Sequence, residues 1–208
     1  MTKSLMKSVR ANSLAIIGGI AVGIGAAALS PAPAISQTTG AIHQNPAGEN
    51  YTSQEIVAAG HGFFGTTTAG FAEAIERTFS DAGQPNAYIV GQEGAGAFFG
   101  GLRYGEGTMY LKNGGSYKVY WQGPSIGFDF GGNGSRVMTL VYNLSSPNQI
   151  FERFIGVEGS AYIVGGFGVN YQQNNQLKLA PIRTGVGARL GANVGYLKYT
   201  PEATWNPF

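Results

Sequence analysis

Thr108-Met109-Tyr110-Leu111-Lys112-Asn113-Gly114-Gly115-Ser116-Tyr117-Lys118-Val119-Tyr120-Trp121-Gln122 sets two aromatic and β-branched runs on either side of Asn-Gly-Gly. Asparagine and glycine accept positive φ at low cost, so this turn folds the chain into an antiparallel hairpin. Gly132-Asn133-Gly134 offers a second turn of the same kind. Outward from the hairpin, short strand-like segments recur at 86–91, 94–103, 105–112, 116–122, 124–131, 136–143, 160–170, 175–180, 184–191 and 193–199. About ten short antiparallel strands with Gly-rich punctuation predict a mainly β fold, a small soluble barrel or a sandwich, with the barrel preferred.

Two or three helices are expected to pack on it. Thr52 with Glu55 three residues later has the capping-box pattern, Ile56 and Val57 form a buried side, and Gly60 is the expected stop. The pair Phe63-Phe64 then reads as a core plug, with an exposed insertion loop as the alternative. From Thr68 to Ala82, Phe71, Ile75 and Phe79 recur at four-residue spacing, and Gly83 and Pro85 end the helix. Ser146-Pro147-Asn148-Gln149 supplies an N-cap, a proline at N1 and a capping-box Gln, predicting a further helix through Ile150, Phe151, Phe154 and Ile155 to Gly156. Ala87-Tyr88-Ile89-Val90-Gly91 and Ala161-Tyr162-Ile163-Val164-Gly165 follow the second and third helices, which makes an internal half-repeat a candidate; a chance match in a Gly-rich chain is the alternative.

Glycine accounts for 34 of 208 residues. In Gly94-Ala95-Gly96-Ala97-Phe98-Phe99-Gly100-Gly101, in 123–132 and in 185–195, it recurs within strand-like text, where it permits sharp bending or close contact. No Gly-x-Gly-x-x-Gly or Gly-Lys-Ser/Thr occurs in a βαβ setting, so these are not phosphate loops, and no cofactor is expected.

The N-terminus reads as a secretory signal over 1–36. Lys3, Lys7 and Arg10 precede the apolar run Leu14 to Leu29, and Ser30-Pro31-Ala32-Pro33-Ala34-Ile35-Ser36 offers small-x-small cleavage after Ala34 or Ser36. A retained anchor is the alternative, because about 16 apolar residues approach the ~20 that span a bilayer. Residues 37–50 then read as a flexible leader and 51–208 as one barrel domain, with no stable membrane span in the mature form. Beyond residue 36 the chain holds 10 Lys or Arg and 11 Asp or Glu, which argues against a nucleic-acid surface. The Phe208 terminus resembles the last strand of an outer-membrane barrel, but Pro201 and Pro207 interrupt that strand.

Chemistry is sparsely supported. The chain has no cysteine, and His43 and His61 are its only histidines. Neither a metal-ligand spacing nor a nucleophile elbow accompanies them. Glu93 and Glu106, on neighbouring strands, are the candidate carboxylate pair for a glycan-active enzyme. The structural alternative pairs Arg103 with one of them. Tyr104, Tyr110, Tyr117, Tyr120 and Trp121 crowd one hairpin region and serve either as core or as ligand lining.

Pro85-Asn86-Ala87-Tyr88-Ile89-Val90-Gly91-Gln92-Glu93, Gly100-Gly101-Leu102-Arg103-Tyr104-Gly105-Glu106-Gly107, Trp121-Gln122-Gly123-Pro124-Ser125-Ile126-Gly127-Phe128-Asp129, Tyr142-Asn143-Leu144 and Gly159-Ser160-Ala161-Tyr162 resemble the alphaproteobacterial envelope integrity family EipA. The likeness runs from about Tyr51 to Tyr199. It implies a periplasmic β-barrel linked genetically to envelope integrity and to lipopolysaccharide O-antigen, with no assigned enzymatic mechanism and no catalytic residues to transfer. A remoter likeness, through Gly185-Val186-Gly187-Ala188, is to SYLF or Ysc84-type lipid-binding domains, without their basic surface.

The expectation is therefore a non-enzymatic, periplasmic envelope maintenance factor that binds an envelope lipid, glycan or protein. Its candidate binding surface is Arg103, Tyr104, Glu106, Trp121 and Asp129. The alternatives are an apolar-ligand carrier and the glycan-active enzyme. Mass spectrometry of the exported protein should find its first residue at Ile35 or Gln37; a membrane-bound chain retaining residues 1–34 would show an uncleaved anchor instead.

Overall fold

The computed structural model describes residues 49–65, 69–96, 101–124, 135–184, 195–206 and 208, with the side chains of residues 95 and 96 left out. Two helices, α1 (Ser53–Phe64) and α2 (Ala69–Ala82), precede ten strands: β1 (Ala87–Gly96), β2 (Leu102–Leu111), β3 (Ser116–Pro124), β4 (Ser135–Tyr142), β5 (Arg153–Gly156), β6 (Tyr162–Val164), β7 (Phe167–Val169), β8 (Gln172–Gln173), β9 (Lys178–Thr184) and β10 (Tyr196–Thr200). All pairings are antiparallel, in the order β4-β1-β2-β3-β10-β5-β8-β9-β7-β6. A further β4–β9 ladder, Val137↔Arg183 through Tyr142↔Lys178, closes eight strands into a barrel and leaves β7 and β6 outside it. Among the described residues no helix is long and apolar enough to cross a membrane.

Strand parity sorts the apolar residues into two cores. Ala87, Ile89, Met109, Val119, Trp121, Val141, Leu179, Leu197 and Tyr199 point into the barrel, and Leu144, Ile150, Phe154 and Leu177 fill one end. The opposite parity of β4 and β9, Met138, Leu140, Tyr142, Ala180 and Ile182, faces the helices together with Phe167 and Val169. β4 is thus buried on both faces, and Val137-Met138-Thr139-Leu140-Val141-Tyr142 is accordingly an almost unbroken apolar run. Ile56 and Phe64 of α1 and Phe71, Ala74 and Ile75 of α2 cover that outer face. The rings of Phe64, Phe71 and Phe167 meet in a triangle with centroids 5.3–5.5 Å apart.

The capping box at Thr52 and Glu55 forms as the sequence predicts. The helix does not stop at Gly60, however. It runs to Phe64 and ends at Gly65 in the left-handed region, because Gly60 lies beneath Phe71, where a Cβ would stand 2.1 Å from the ring. Phe63 and Phe64 consequently sit on the last turn of α1, with Phe64 buried in the core as a plug. Arg136 donates to the carbonyls of Phe63 and Phe64, both at 3.1 Å, satisfying groups the helix end leaves open.

The expected helix after Ser146 is a single 3₁₀ turn (Pro147–Ile150), although its capping box forms. Phe154 is fully buried while its neighbour Ile155 is 63% exposed, a period of two that fits β5, not a helix. The chain gains more by pairing with β10 and β8 than a helix of nine residues would supply alone. Among the described residues the helix-then-strand unit therefore occurs once. Ala87–Gly91 begins the ten-residue β1, whereas Tyr162–Val164 is a short edge strand that turns at Gly165-Gly166.

Other boundaries shift for similar reasons. Residues 86–91 and 94–103 were expected as separate strands, but β1 continues through Gly91 to Gly96. Residues 160–170 form a hairpin, not one strand. Segments 125–131 and 185–191 lie outside the described residues.

α2 approaches the β6–β7 turn so closely that a Cβ on Gly70 would lie 2.2 Å from the Gly165 oxygen. That contact is backbone on backbone and cannot yield by a rotamer change. Gly70→Ala should destabilise the fold by about 1–3 kcal/mol in urea unfolding. Gly62→Ala, at an open helical position, should instead stabilise it by about 0.5–1 kcal/mol.

Candidate functional site

Parity decides where the sequence-predicted residues go. β1 and β2 pair Gln92↔Glu106 and Glu93↔Gly105, and β2 and β3 pair Tyr104↔Gln122 and Gly105↔Trp121. Glu93, Arg103 and Trp121 therefore point into the barrel, while Tyr104 and Glu106 leave the sheet on the outer face. Asp129 lies outside the described residues. The candidate surface is split by one sheet into an interior set and an exterior set. The proposed Glu93–Glu106 carboxylate pair is corrected by the same observation: the two side chains occupy opposite faces, and Glu106 pairs with Lys118 at 2.9 Å on the outside.

Inside, Glu93 is 7% exposed. Its Oε1 accepts from Arg183 Nε at 2.6 Å and lies 3.8 Å from Arg103 Nε, so Arg103 pairs with this carboxylate, as the structural alternative expected. Trp121 Nε1 donates to Oε2 at 3.2 Å. Arg183 Nη1 donates to Asn170 Oδ1 at 2.5 Å. Burial by itself would raise the Glu93 pKa, but Arg183, Arg103 and these hydrogen bonds outweigh it and hold the carboxyl below its ordinary range. Tyr199 lies nearby; burial pushes its phenol well up, so it is a neutral member of the cluster.

The sequence places glycine where the indole must lie. Gly91 and Gly105 face inward beneath Trp121, and a Cβ on Gly105 would come 2.2 Å from the ring. The inward glycines of β1 and β2 thus make a flat floor that brings Trp121 Nε1 to Glu93.

Outside, Tyr104, Glu106, Tyr120 and Gln122 line a groove of about 410 Å³ together with Gln92 and Trp205. The chain following β10 folds back to form one wall. Tyr104 Oη donates to the Trp205 carbonyl at 3.0 Å, the two rings meet edge-on at 5.3 Å, and Lys198 Nζ donates to the Phe208 main-chain oxygen at 2.7 Å. Gln122 is 1% exposed beneath this chain. Trp205 itself is 78% exposed.

A second cleft, about 690 Å³, opens near the turn after β4 and includes Asn86, Lys112, Asn143 and Ser145. Its central amide is already used: Asn86 donates to the Leu144 carbonyl at 2.7 Å and accepts from the Leu144 N–H at 3.1 Å. Lys112 is tied to Glu55 at 2.6 Å. These groups stitch the end of the barrel to α1. His61 packs against Phe71 at 5.9 Å, remote in role from either carboxylate.

Arg183 and Trp205 were missed from the sequence. Arg183 is a charge within the strand-like Leu179-Ala180-Pro181-Ile182-Arg183, and its inward direction needs the β4–β9 register. Trp205 stands alone after Pro201 in text without strand periodicity, and an isolated tryptophan there is the one local signal.

The family model described as envelope integrity protein A matches residues 49–208. The chain is also similar to a crystal structure of a β-barrel-like, uncharacterized protein from Brucella abortus, at 56% identity and a TM-score of 0.71, covering 77% of this chain and all of that one. No curated protein matches it.

Because the folded pKa of Glu93 is depressed, its ion pairs contribute stability that is present above the unfolded value, about 4.3 for glutamate, and lost as pH falls through the folded value. Glu93→Gln should cost about 3–5 kcal/mol at neutral pH by leaving two guanidinium groups without their carboxylate. It should also flatten the fall in stability below the ordinary carboxylate range, measured by urea melts from pH 7 to 3.

Proposed function

The chain belongs to the envelope integrity protein A family, and from that premise we propose that it maintains the envelope by binding, without catalysis, an envelope component in the outer groove of β1–β3. The observation that carries this reading is the groove itself. Tyr104 and Glu106, two residues of the candidate surface, converge there with Tyr120, Gln122 and Trp205 on a rigid three-stranded floor. A concave, mostly apolar cleft with a few fixed polar groups is the usual form of a ligand site.

A periplasmic address supports the reading. The charged, apolar and small-residue order of residues 1–36 has the form of an export signal. An envelope role also needs the protein where envelope components are assembled.

The carrier alternative requires an empty lumen. Nine buried side chains from the strands occupy the lumen among the described residues, and Leu144, Ile150, Phe154 and Leu177 fill one end, none of them more than 8% exposed. The enzymatic alternative loses its carboxylate pair to strand parity, and Glu93 is committed to Arg183, Arg103 and Trp121.

Tyr104→Ala and Glu106→Gln should fold normally by thermal melt, within about 1 kcal/mol of the parent, yet fail to restore survival under envelope stress in a deletion strain. Full complementation by both would remove the groove from the function. Arg103→Ala is a poor probe, because it also disturbs the buried Glu93 cluster and should lower the melting temperature.

A further inference from the structure

We infer that the occupant of this groove is a short, uncharged saccharide segment, held by the faces of Trp205, Tyr104 and Tyr120 and by the Gln92 amide with the Glu106 carboxylate. The inference rests on the reading that the groove is the binding site, and adds the ligand class.

The lining chemistry carries it. Among the described residues, the groove wall contains three outward aromatic side chains, Tyr104, Tyr120 and Trp205, and no leucine, isoleucine, valine or methionine. An acyl chain is best held by an aliphatic tunnel that follows its bends. A flat aromatic face instead matches the C–H face of a pyranose, whose hydroxyls project sideways to polar partners. Here those partners are the Gln92 amide and the Glu106 carboxylate. Gln92 and Glu106 are a directly opposed pair on β1 and β2, with side chains on the outer face. Tyr104 opposes Gln122 on β2 and β3, and Gln122, buried beneath the C-terminal chain, donates to Thr200 Oγ1 at 3.4 Å and forms part of the floor.

Charge narrows the class further. No lysine or arginine lines the groove among the described residues, and its outward carboxylate, Glu106, is already paired with Lys118 at 2.9 Å. Arg103 and Arg183 lie on the other side of the sheet, engaged with Glu93. A phosphorylated or sulfated headgroup would therefore have to draw Lys118 away from Glu106, whereas a neutral sugar can donate to the Glu106 carboxylate and leave that ion pair in place.

The Trp205 wall also explains how an open groove could gain grip. Its backbone is fixed by Tyr104 Oη while its ring remains 78% exposed, so binding can bury a large ring without first ordering its chain. Tyr104 thereby does two things: it offers a ring, and its hydroxyl holds the Trp205 backbone.

The protein has two tryptophans, Trp121 and Trp205, so ¹⁵N-labelled protein gives two side-chain indole signals, and Trp205→Ala assigns them by removing one. Titration with neutral trisaccharides of glucose, mannose and N-acetylglucosamine should shift the Trp205 signal saturably for at least one of them. Trp205→Ala and Tyr104→Ala should each weaken that binding about tenfold or more. Tyr104→Phe, which keeps the ring and loses the hydroxyl, should lose less. Parallel titrations use dodecanoate and phosphatidylglycerol vesicles. A Trp205 response to either of these with none to the sugars overturns the saccharide assignment and leaves the groove as the site. No response to any probe, together with full complementation by Trp205→Ala, overturns the groove as well. A sugar response that survives Trp205→Ala and Tyr104→Ala places saccharide binding elsewhere and overturns this site.

Discussion

A carboxylate inside an eight-stranded barrel is the group around which the upper half of the fold is arranged. Glu93 can remain ionised at 7% exposure because Arg183 and Trp121 reach it from β9 and β3 and Arg103 from the adjacent strand. Each of those side chains must enter at inward parity, so one buried charge fixes the register of β1, β2, β3 and β9 together. A slip of one residue in β2, β3 or β9 would turn Arg103, Trp121 or Arg183 to the outside and weaken the compensation of the charge, and a slip in β1 would carry Glu93 itself away from its partners. The lower half of the barrel has no such requirement and is filled by apolar side chains from strands and connections alike.

The glycines serve this arrangement in a specific way. Trp121 lies across β1 and β2 because Gly91 and Gly105 present no Cβ beneath it. A second close approach, Gly70 against Gly165, seats α2 on the outer sheet. Their number in the sequence suggests bending or close contact in general; their positions show that close contact by a large ring or a second backbone is the use made of them here.

The same parity separates the packed interior from the outer groove. The interior faces of β1–β3 carry the ion pairs and the tryptophan, and the exterior faces carry Tyr104, Glu106, Tyr120 and Gln122. Alternate residues of Arg103-Tyr104-Gly105-Glu106 therefore face different surroundings: odd positions the packed lumen, even positions the groove. Arg103, Tyr104, Glu106 and Trp121 lie close along the strands, but on two faces of the sheet, Arg103 and Trp121 inside and Tyr104 and Glu106 outside.

What the sequence by itself determined was local: the Asn-Gly-Gly hairpin, the capping boxes at Thr52 and Ser146, the stripe of α2 and the mainly antiparallel β character, all of which depend on φ preferences and periodicities within a few residues. It also held the family likeness. What only the tertiary structure decided was non-local. Ser146–Gly156 carries a helix signature, yet Phe154 and Ile155 alternate as a strand because β10 needs a partner. Glu93 finds Arg183 across 90 residues of chain, and Trp205 meets Tyr104 across 101. Those contacts depend on which strands close the barrel and in what register, and a linear sequence contains no short-range signal for either.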